Sequence, residues 1–350
     1  MAGVVQPITI EKEYEKNPDI SPEDIRKLRE WLKTQPHLPG EHLTETKMAG
    51  VVQPITIEKE YEKNPDISPE DIRKLREWLK TQPHLPGEHL TDVDLLIAFH
   101  CCEKSSEVTK QVLDLHFTLR TLFTPFFKDR VFDKKAEFAL NTVLCAPLVT
   151  PTPEGYRVVY LRLLDPEPRN FNLQEAVRAF MMFFDLWQAE EGTWPGFVML
   201  IDMDTATLSH VARLDLMVVK KVIYFLQECM FVKLKGVHFM SAPYFMDKVL
   251  MLIKPHLKKE LVNIIHTHQV ASDSLYKMIP KKALPKEEGG EYKDHVTLRD
   301  ELLKRLQANP TFIREENKRR VNESLRKGGK PSQLEKEFGI QGSFKKLDID

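Results

Sequence analysis

Two histidines and two aspartates are the residues best spaced to do chemistry in this 350-residue chain. His266 and His268 stand two positions apart. On a helix their rings would point about 200° apart and could not share a metal, whereas on a strand they would share a face. No third ligand lies nearby in sequence, so a structural or surface role is the plainer reading, as it is for His210 and His238. The cysteines Cys101, Cys102, Cys145 and Cys229 form no C-x-x-C pair and read as free thiols. The chain has no G-x-G-x-x-G, no G-x-x-x-x-G-K-[ST] and no G-x-S-x-G, so it lacks the usual phosphate-cradling loops and the serine elbow. Neither a metal nor a cofactor is expected.

Asp202-x-Asp204-Thr205 closes the apolar run Phe197–Met203 and is the sharpest enzymatic hint. It resembles the first motif of haloacid-dehalogenase-type phosphatases. The resemblance implies that one Asp attacks phosphorus and the other handles the proton, with a Lys and a downstream acidic pair around Mg²⁺. The dense acidic cluster downstream, Glu287-Glu288-Gly-Gly-Glu291, follows no recognisable strand. A lone short motif carries a high false-positive risk. A structural strand end is the plainer reading.

With 42% hydrophobic and 29% charged residues the composition is that of an ordinary globular protein. A formal net charge of −1 gives no global attraction to nucleic acid, which is not an expected partner, or to anionic membranes. Ala179–Trp187, broken by Asp185, is the longest apolar run, far short of the roughly 20 residues that cross a bilayer. The start, MAGVVQPITIEKEYEKN, has no basic signal-like region, and Ala2 does not fit the myristoylation pattern. A cytoplasmic location is therefore expected. Residues Met1–Thr44 recur unchanged as Met48–Thr91. Solenoid repeats diverge and come in threes or more, and only the second copy runs on into a further helical segment. Residues 1–47 are expected to be a dispensable extension.

The elements that would position these residues follow from periodicity and caps. Ser68 and Pro69 open a helix with Ile72, Leu75, Trp78 and Leu79 on one face, and Gln82-Pro83 stops it. Thr91 caps a helix carrying Leu95, Leu96 and Phe99, and a helix from about Ser105 turns Val108, Val112, Leu115 and Leu119 inward. Residues 48–128 thus read as a small helical domain. From Asp129 the chain alternates. A helix at Asp133–Cys145 leads to two strands around Pro-x-Pro-Glu-Gly, and Asn172 then caps a helix to about Glu190. Strands at Phe197–Met203 and Gly236–Met240 flank helices at Thr207–Asp215 and Leu216–Cys229, and helices at 242–254 and 257–265 follow. That pattern predicts an α/β unit over 129–295, a mostly parallel sheet with helices packed on it. Residues 296–350 read as a helical and then flexible tail, loose beyond Lys327.

Two helices are unusually greasy. Phe180–Trp187 is apolar almost all round and must be buried on nearly every side. Tyr244–Ile253 is interrupted only by Asp247 and Lys248. Together they offer more apolar surface than one sheet face needs, and Met and Phe line adaptable pockets well. Composition alone leaves a filled core and a lipophilic cavity both open.

The motifs narrow this. Trp78-Leu-x-x-Gln82-Pro-His-Leu-Pro86 with Asp94-Leu-Leu resembles the helical entry module of CRAL-TRIO proteins. Ile201-Asp-Met-x-x-x-Thr207-Leu-x-His210, Lys220-Lys221, Leu234-Lys-Gly-Val-His-Phe239, Lys254-Pro255, Ile265-His-x-His268 and Leu284-Pro-x-Glu-x-Gly-Gly290 resemble the lipid-binding domain of that family. The match runs in order over about residues 68–292 and is similar to the insect type related to tocopherol- and retinaldehyde-binding members. It implies a lipid-binding cage with a mobile gate helix at about Ser241–Leu257. The ligand-facing set implied is Phe180, Phe183, Phe184, Trp187, Val198, Leu200, Phe225, Phe239, Phe245, Val249, Leu252 and Ile253. Lys220, Lys221, Lys258 and Lys259 would form an anionic head-group site, with phosphoinositide as the membrane lipid. The family's Arg-rich segment is here Leu96-Ile-Ala-Phe-His-Cys-Cys102, without an anion-binding Arg near His100. Glu260 and Ile264 occupy positions that are basic in the family, and Thr205 stands for a Gly. Phe180 and Phe184 replace small hydroxyl residues of the tocopherol carrier, implying a smaller or differently shaped ligand. The expectation is a non-enzymatic, monomeric carrier of a tocopherol-, retinoid- or similar lipid, exchanging it at membranes through the gate. The alternatives are the phosphatase and an adaptor that uses the same fold without a ligand.

Overall fold

Ser68 and Thr91 each begin a helix with a reciprocal cap. The Ser68 side chain accepts from the Asp71 N–H while Asp71 accepts from the Ser68 N–H, and Thr91 and Asp94 repeat the arrangement. The structure is a computed structural model describing residues 50–269 and 273–327 together with Leu334 and Phe338. The extension expected at 1–47, and most of the tail beyond Lys327, lie outside the described residues. Helices α1 (Ile57–Lys63), α2 (Pro69–Lys80), α3 (Asp92–Cys101), α4 (Ser106–Leu122) and α5 (Thr124–Phe127) come first. Ile72, Leu75, Leu79, Leu95, Leu96 and Leu113 pack there into one core. At roughly 1.5–3 kcal/mol per fully buried large apolar side chain, that core is the main stabilising term of this region.

The inward face of α4 is turned in part from the expected one. Leu119 is fully buried and Val112 packs on the core, as expected, but Val108 is 45% exposed, while Thr109, Leu113, His116, Phe117 and Arg120 are buried. The apolar spacing misleads because this helix buries two charged-type side chains that have partners on other elements.

Helix α6 (Lys134–Thr142) ends three residues before the expected boundary, and β1 (Val143–Leu148) starts there. β2 (Arg157–Leu163), α7 (Leu173–Glu191), β3 (Phe197–Asp202), α8 (Leu208–Ala212), α9 (Leu216–Glu228), β4 (Leu234–Met240), α10 (Met246–Ile253), α11 (Lys259–Val262), β5 (Ile265–Thr267), α12 (Asp273–Met278), α13 (His295–Ala308) and α14 (Pro310–Glu316) follow. The sheet order is β1-β2-β3-β4-β5; β1 is antiparallel to β2 and the remaining pairs are parallel. β5 begins at the last residue of the helix expected over 257–265 and is not among the expected strands, because its three residues, Ile-His-Thr, are too few to show a period.

Parallel neighbours need crossovers, and crossovers of one hand stepping in one direction place their helices on one face. Helices α7 and α9 accordingly cover one face, called the front. On the back, Leu144, Ala146, Leu148, Val158, Val198, Leu200 and Met240 pack with Leu275, Ile279, Leu284 and Leu298. Buried on both faces, the central strands read as continuous apolar runs. The segment expected to open a tail begins as a packed helix: Leu298, Leu302 and Leu306 of α13 are buried, and Arg305 pairs with Glu190 of α7 at 2.5 Å.

Buried charges join the helical region to the sheet. Arg120 of α4 donates to both oxygens of Asp185 of α7, at 3.1 and 3.0 Å, and lies 3.1 Å from Glu316 of α14. Arg130 adds a second cation on Asp185 at 2.7 Å, and Arg319 bridges Glu316 and Asp94 at 3.1 and 2.8 Å. Burial works against the Asp185 charge, yet the Arg120 and Arg130 guanidiniums outweigh it and hold the carboxyl well below the usual carboxylate range. The one charge that interrupts Phe180–Trp187 is therefore the attachment point of that helix.

Candidate functional site

A cavity of about 360 Å³ lies between the front of the sheet and helices α7, α9 and α10. Its floor is built from alternate strand residues: Cys145, Leu161, Leu163, Met199, Ile201, Val237, Phe239 and Ile265. Ala176, Val177, Phe180 and Met181 of α7 and Val219, Val222, Ile223 and Leu226 of α9 form the walls, and Val249 and Ile253 of α10 close it. A concave, almost wholly apolar space of this size suits one small lipophilic molecule. Among the described residues no helix is long and apolar enough to cross a membrane.

Four residues of the expected ligand-facing set, Phe180, Phe239, Val249 and Ile253, line this cavity. Val198 and Leu200 do not: they point to the back-face core, while Met199 and Ile201 face the cavity. The strand pleat turns successive side chains to opposite faces, so a register error of one exchanges the two sets. Phe183 and Trp187 stack at 5.6 Å between centroids, and Trp187 meets Trp194 at 4.6 Å. Phe184 packs on Trp194 and Phe197 at 5.7 and 5.9 Å. This aromatic group fills space as a plug near the start of β3 and leaves those three residues out of the cavity wall. Phe184 and Phe225 line a separate cavity of about 190 Å³ beside Arg120, Asp185 and Glu316. Phe245 packs with Phe239, Met246 and Val249 just outside the wall, and Leu252 is half-buried and not in it.

The four lysines do not gather. Lys220 lies over the Phe338 ring at 5.1 Å and Lys221 over Phe123 at 5.7 Å. Burial lowers the Lys221 ammonium pKa. Lys258 pairs with Glu228 at 2.8 Å, at the far end of the same helix, some ~12 Å away at 1.5 Å per residue. Lys259 is exposed. His100, where the family's Arg would stand, binds the Trp194 carbonyl at 3.1 Å, and burial, then Lys233, lowers its pKa.

Asp202 sits at a strand end, as expected, with its carboxylate fully engaged. Tyr160 donates to it at 2.9 Å, the Asp204 N–H at 3.0 Å, and Arg162 forms an ion pair with it. Burial raises its pKa against the pull of Arg162. Arg162 also reaches Asp204 at 2.8 Å and Glu288 at 3.1 Å, tying the strand ends to the loop before α13.

The structure gathers three histidines that sequence left apart. His238 on β4 stacks on His266 of β5 at 4.9 Å, and its Nδ1 lies 2.9 Å from His268 Nε2. His268 Nδ1 in turn is 2.8 Å from Ser274 Oγ. All three lie on the back face, paired His238 with His266, as the strand reading of their spacing required. No group of three or more His, Cys, Asp or Glu side chains among the described residues is arranged to hold a metal ion. The four cysteines are free thiols.

Comparison with known proteins agrees with this architecture. Residues 142–290 match the CRAL/TRIO domain and residues 64–136 the Pinta-like UBA domain. With that sheet and its covering helices, residues 142–290 carry a CRAL/TRIO domain. "Alpha-tocopherol transfer protein-like" of Homo sapiens is 32% identical over 165 residues, 46% of this chain and 48% of that protein. Clavesin-1 of Rattus norvegicus is 26% identical over 182 residues, 51% of each chain. The crystal structure of Sfh5 aligns with 66% of this chain and 92% of that one, at 11% identity and a TM-score of 0.41. The chain spans about half the length of the curated relatives it matches.

Proposed function

We propose that this chain binds one small lipophilic molecule in the cavity between sheet and helices and exchanges it at membranes. The carrying observation is the cavity itself, about 360 Å³ with an almost wholly apolar wall. A ligand-free adaptor would gain stability by filling such a space, because unfilled apolar volume is destabilising in proportion to its size. The similarity to a tocopherol-transfer-protein-like relative supports the same reading. A tocopherol-, retinoid- or similar lipid is the ligand class, with a cytoplasmic, monomeric carrier as the working form.

Helix α10 is the gate of this reading. Its inner side, Val249 and Ile253, meets the cavity, while Tyr244 is 89% and Met251 67% exposed on the outside. Met251, and Tyr244 just before the helix, are the exposed apolar side chains beside the charged Asp247 and Lys248, and they support docking to lipid, with the closed and docked states nearly balanced. Lys220 and Lys221 would add attraction to anionic lipid, phosphoinositide included. The phosphatase alternative loses support because Asp202, its nucleophile, is already held by Arg162, Tyr160 and a backbone N–H. A non-enzymatic carrier remains.

The test is native mass spectrometry of the purified protein. A co-purifying lipophile at one per chain, released by organic extraction, is the expected result. A chain of apoprotein mass that takes up no added lipophile would sink the carrier reading.

A further inference from the structure

His210 stands in the wall of the apolar cavity and is 3% exposed. It occupies the third position of α8, and its Nδ1 faces back to the helix start. There the backbone N–H of Thr207 donates to Nδ1 at 3.1 Å, and the Thr207 hydroxyl lies 2.9 Å from the same atom. A ring nitrogen that accepts a backbone N–H carries no proton, so in the neutral ring the proton is on Nε2. Burial, opposed by Asp165 and Glu167, lowers the pKa of the ring and so favours that neutral form.

Nε2 is then a buried donor, and it has no hydrogen-bond partner among the described residues. Such a group is costly unless something accepts from it. Other polar side chains of the wall are engaged. Gln227 donates to the His256 carbonyl and accepts from the Lys258 N–H, both at 3.1 Å. Arg162 and Asp202 hold one another. The Phe171 ring meets His210 edge-on at 5.8 Å, fixing the imidazole from the side.

We propose that His210 is the polar anchor of the cavity, and that its ligand is a lipophile carrying an acceptor oxygen (carbonyl, ether or hydroxyl) that takes the Nε2 proton. This rests on the carrier reading above and narrows it. A pure hydrocarbon leaves the donor unpaired, and an ammonium group meets a donor where it needs an acceptor.

The test is displacement of Nile red from the full chain by dodecanal, dodecanol, dodecane and dodecylamine, which share one chain length. Wild type should favour the aldehyde and alcohol over dodecane by about tenfold to a hundredfold. His210→Leu should close that gap. His210→Gln should keep it, since Gln at this helix position can accept the Thr207 N–H and still present an amide donor. Equal affinity of wild type for all four probes would overturn the anchor and leave the carrier standing, and this comparison needs no variant to fold. A gap that survives in folded His210→Leu would do the same. Binding of neither Nile red nor any probe would instead overturn the carrier reading on which the anchor rests.

Discussion

Both carboxylate oxygens of Glu60 accept the backbone N–H of Thr193, each at 3.2 Å, where Glu60 is fully buried. Lys63 balances the charge at 2.7 Å and also donates to the Glu191 and Thr193 carbonyls. Between those carbonyls Gly192 has φ +69°, and a side chain there would run into the Glu60 carboxylate. Helix α1 is thus fastened to the turn after α7. Glu60→Ala should leave the buried Thr193 N–H without its acceptor, costing about 1–3 kcal/mol, read as a fall in the urea midpoint. The equivalent change in the first copy, Glu13→Ala, and a chain starting at Met48 should leave the midpoint where it was. A drop in either would show that residues 1–47 contribute to the fold.

Asp185 gives a second prediction. Asp185→Asn removes the charge that holds Arg120 and Arg130 together and leaves two buried cations facing one another. Loss of one partner from a buried ion group costs about 3–5 kcal/mol. Thermal unfolding by circular dichroism should shift down by roughly 10 °C, taking ~2–4 °C per kcal/mol for a chain of this size. An unchanged midpoint would mean that the cluster is not what joins α4 to α7.

Stability should fall in mild acid. Burial, then His266 and His268, pushes the His238 pKa down to about 4, against an ordinary value of about 6.5. The folded state keeps the ring neutral. Below pH 6.5 the unfolded chain binds a proton that the folded one refuses, so stability present above that pH is lost progressively toward pH 4. The ceiling is about 3 kcal/mol. His116, lowered to about 3 by burial and then by Arg120, acts with the same sign. Urea midpoints from pH 7.5 to 4.5 should therefore decline, and more shallowly in His238→Leu. Parallel slopes for the two proteins would remove His238 as a cause.

For the gate, Phe245 and Val249 are too deeply buried for a clean test, at 4% and 7% exposure; Asp at either site would disrupt the closed cage itself. Tyr244→Asp with Met251→Asp changes only the outer side. Transfer of a fluorescent lipophile between vesicles should slow severalfold with circular dichroism unchanged, and transfer at the wild-type rate would exclude this helix from docking.

Lys220→Ala with Lys221→Ala should slow transfer to anionic vesicles alone, and added salt should weaken the difference, since attraction to a charged surface is screened over about 8 Å at physiological ionic strength. Insensitivity to lipid charge would leave the pair as packing partners of Phe123 and Phe338.

The helices and the parallel sheet were readable because caps such as Ser68 and Thr91, and apolar runs such as Phe197–Asp202, are local signals. The faces were not. A strand buried on both sides has no alternation, so nothing distinguished Val198 and Leu200 from Met199 and Ile201. On α4 the buried His116 and Arg120 masked the inward stripe, because their partners come from α7, α9 and α14. His210 was passed over as a lone histidine, although Thr207-x-x-His210 has the spacing of a reciprocal cap and hinted that one nitrogen was already committed. The histidine group around His238 needed the β4–β5 pairing, and three residues of β5 carry no period.

The Glu60 clasp has a consequence for a chain that contains its sequence twice. Both copies carry identical side chains, so every contact energy cancels between a register that seats the first copy on Gly192-Thr193 and one that seats the second. Only connectivity separates them. Seating the first copy would turn the 47 intervening residues into a closed loop before α3, and closing such a loop costs on the order of 3 kcal/mol. Polymer entropy alone thus sets the balance at a few parts per thousand, and removing Glu45-Thr46-Lys47 would leave it nearly unchanged, because the loop would still hold all of the second copy.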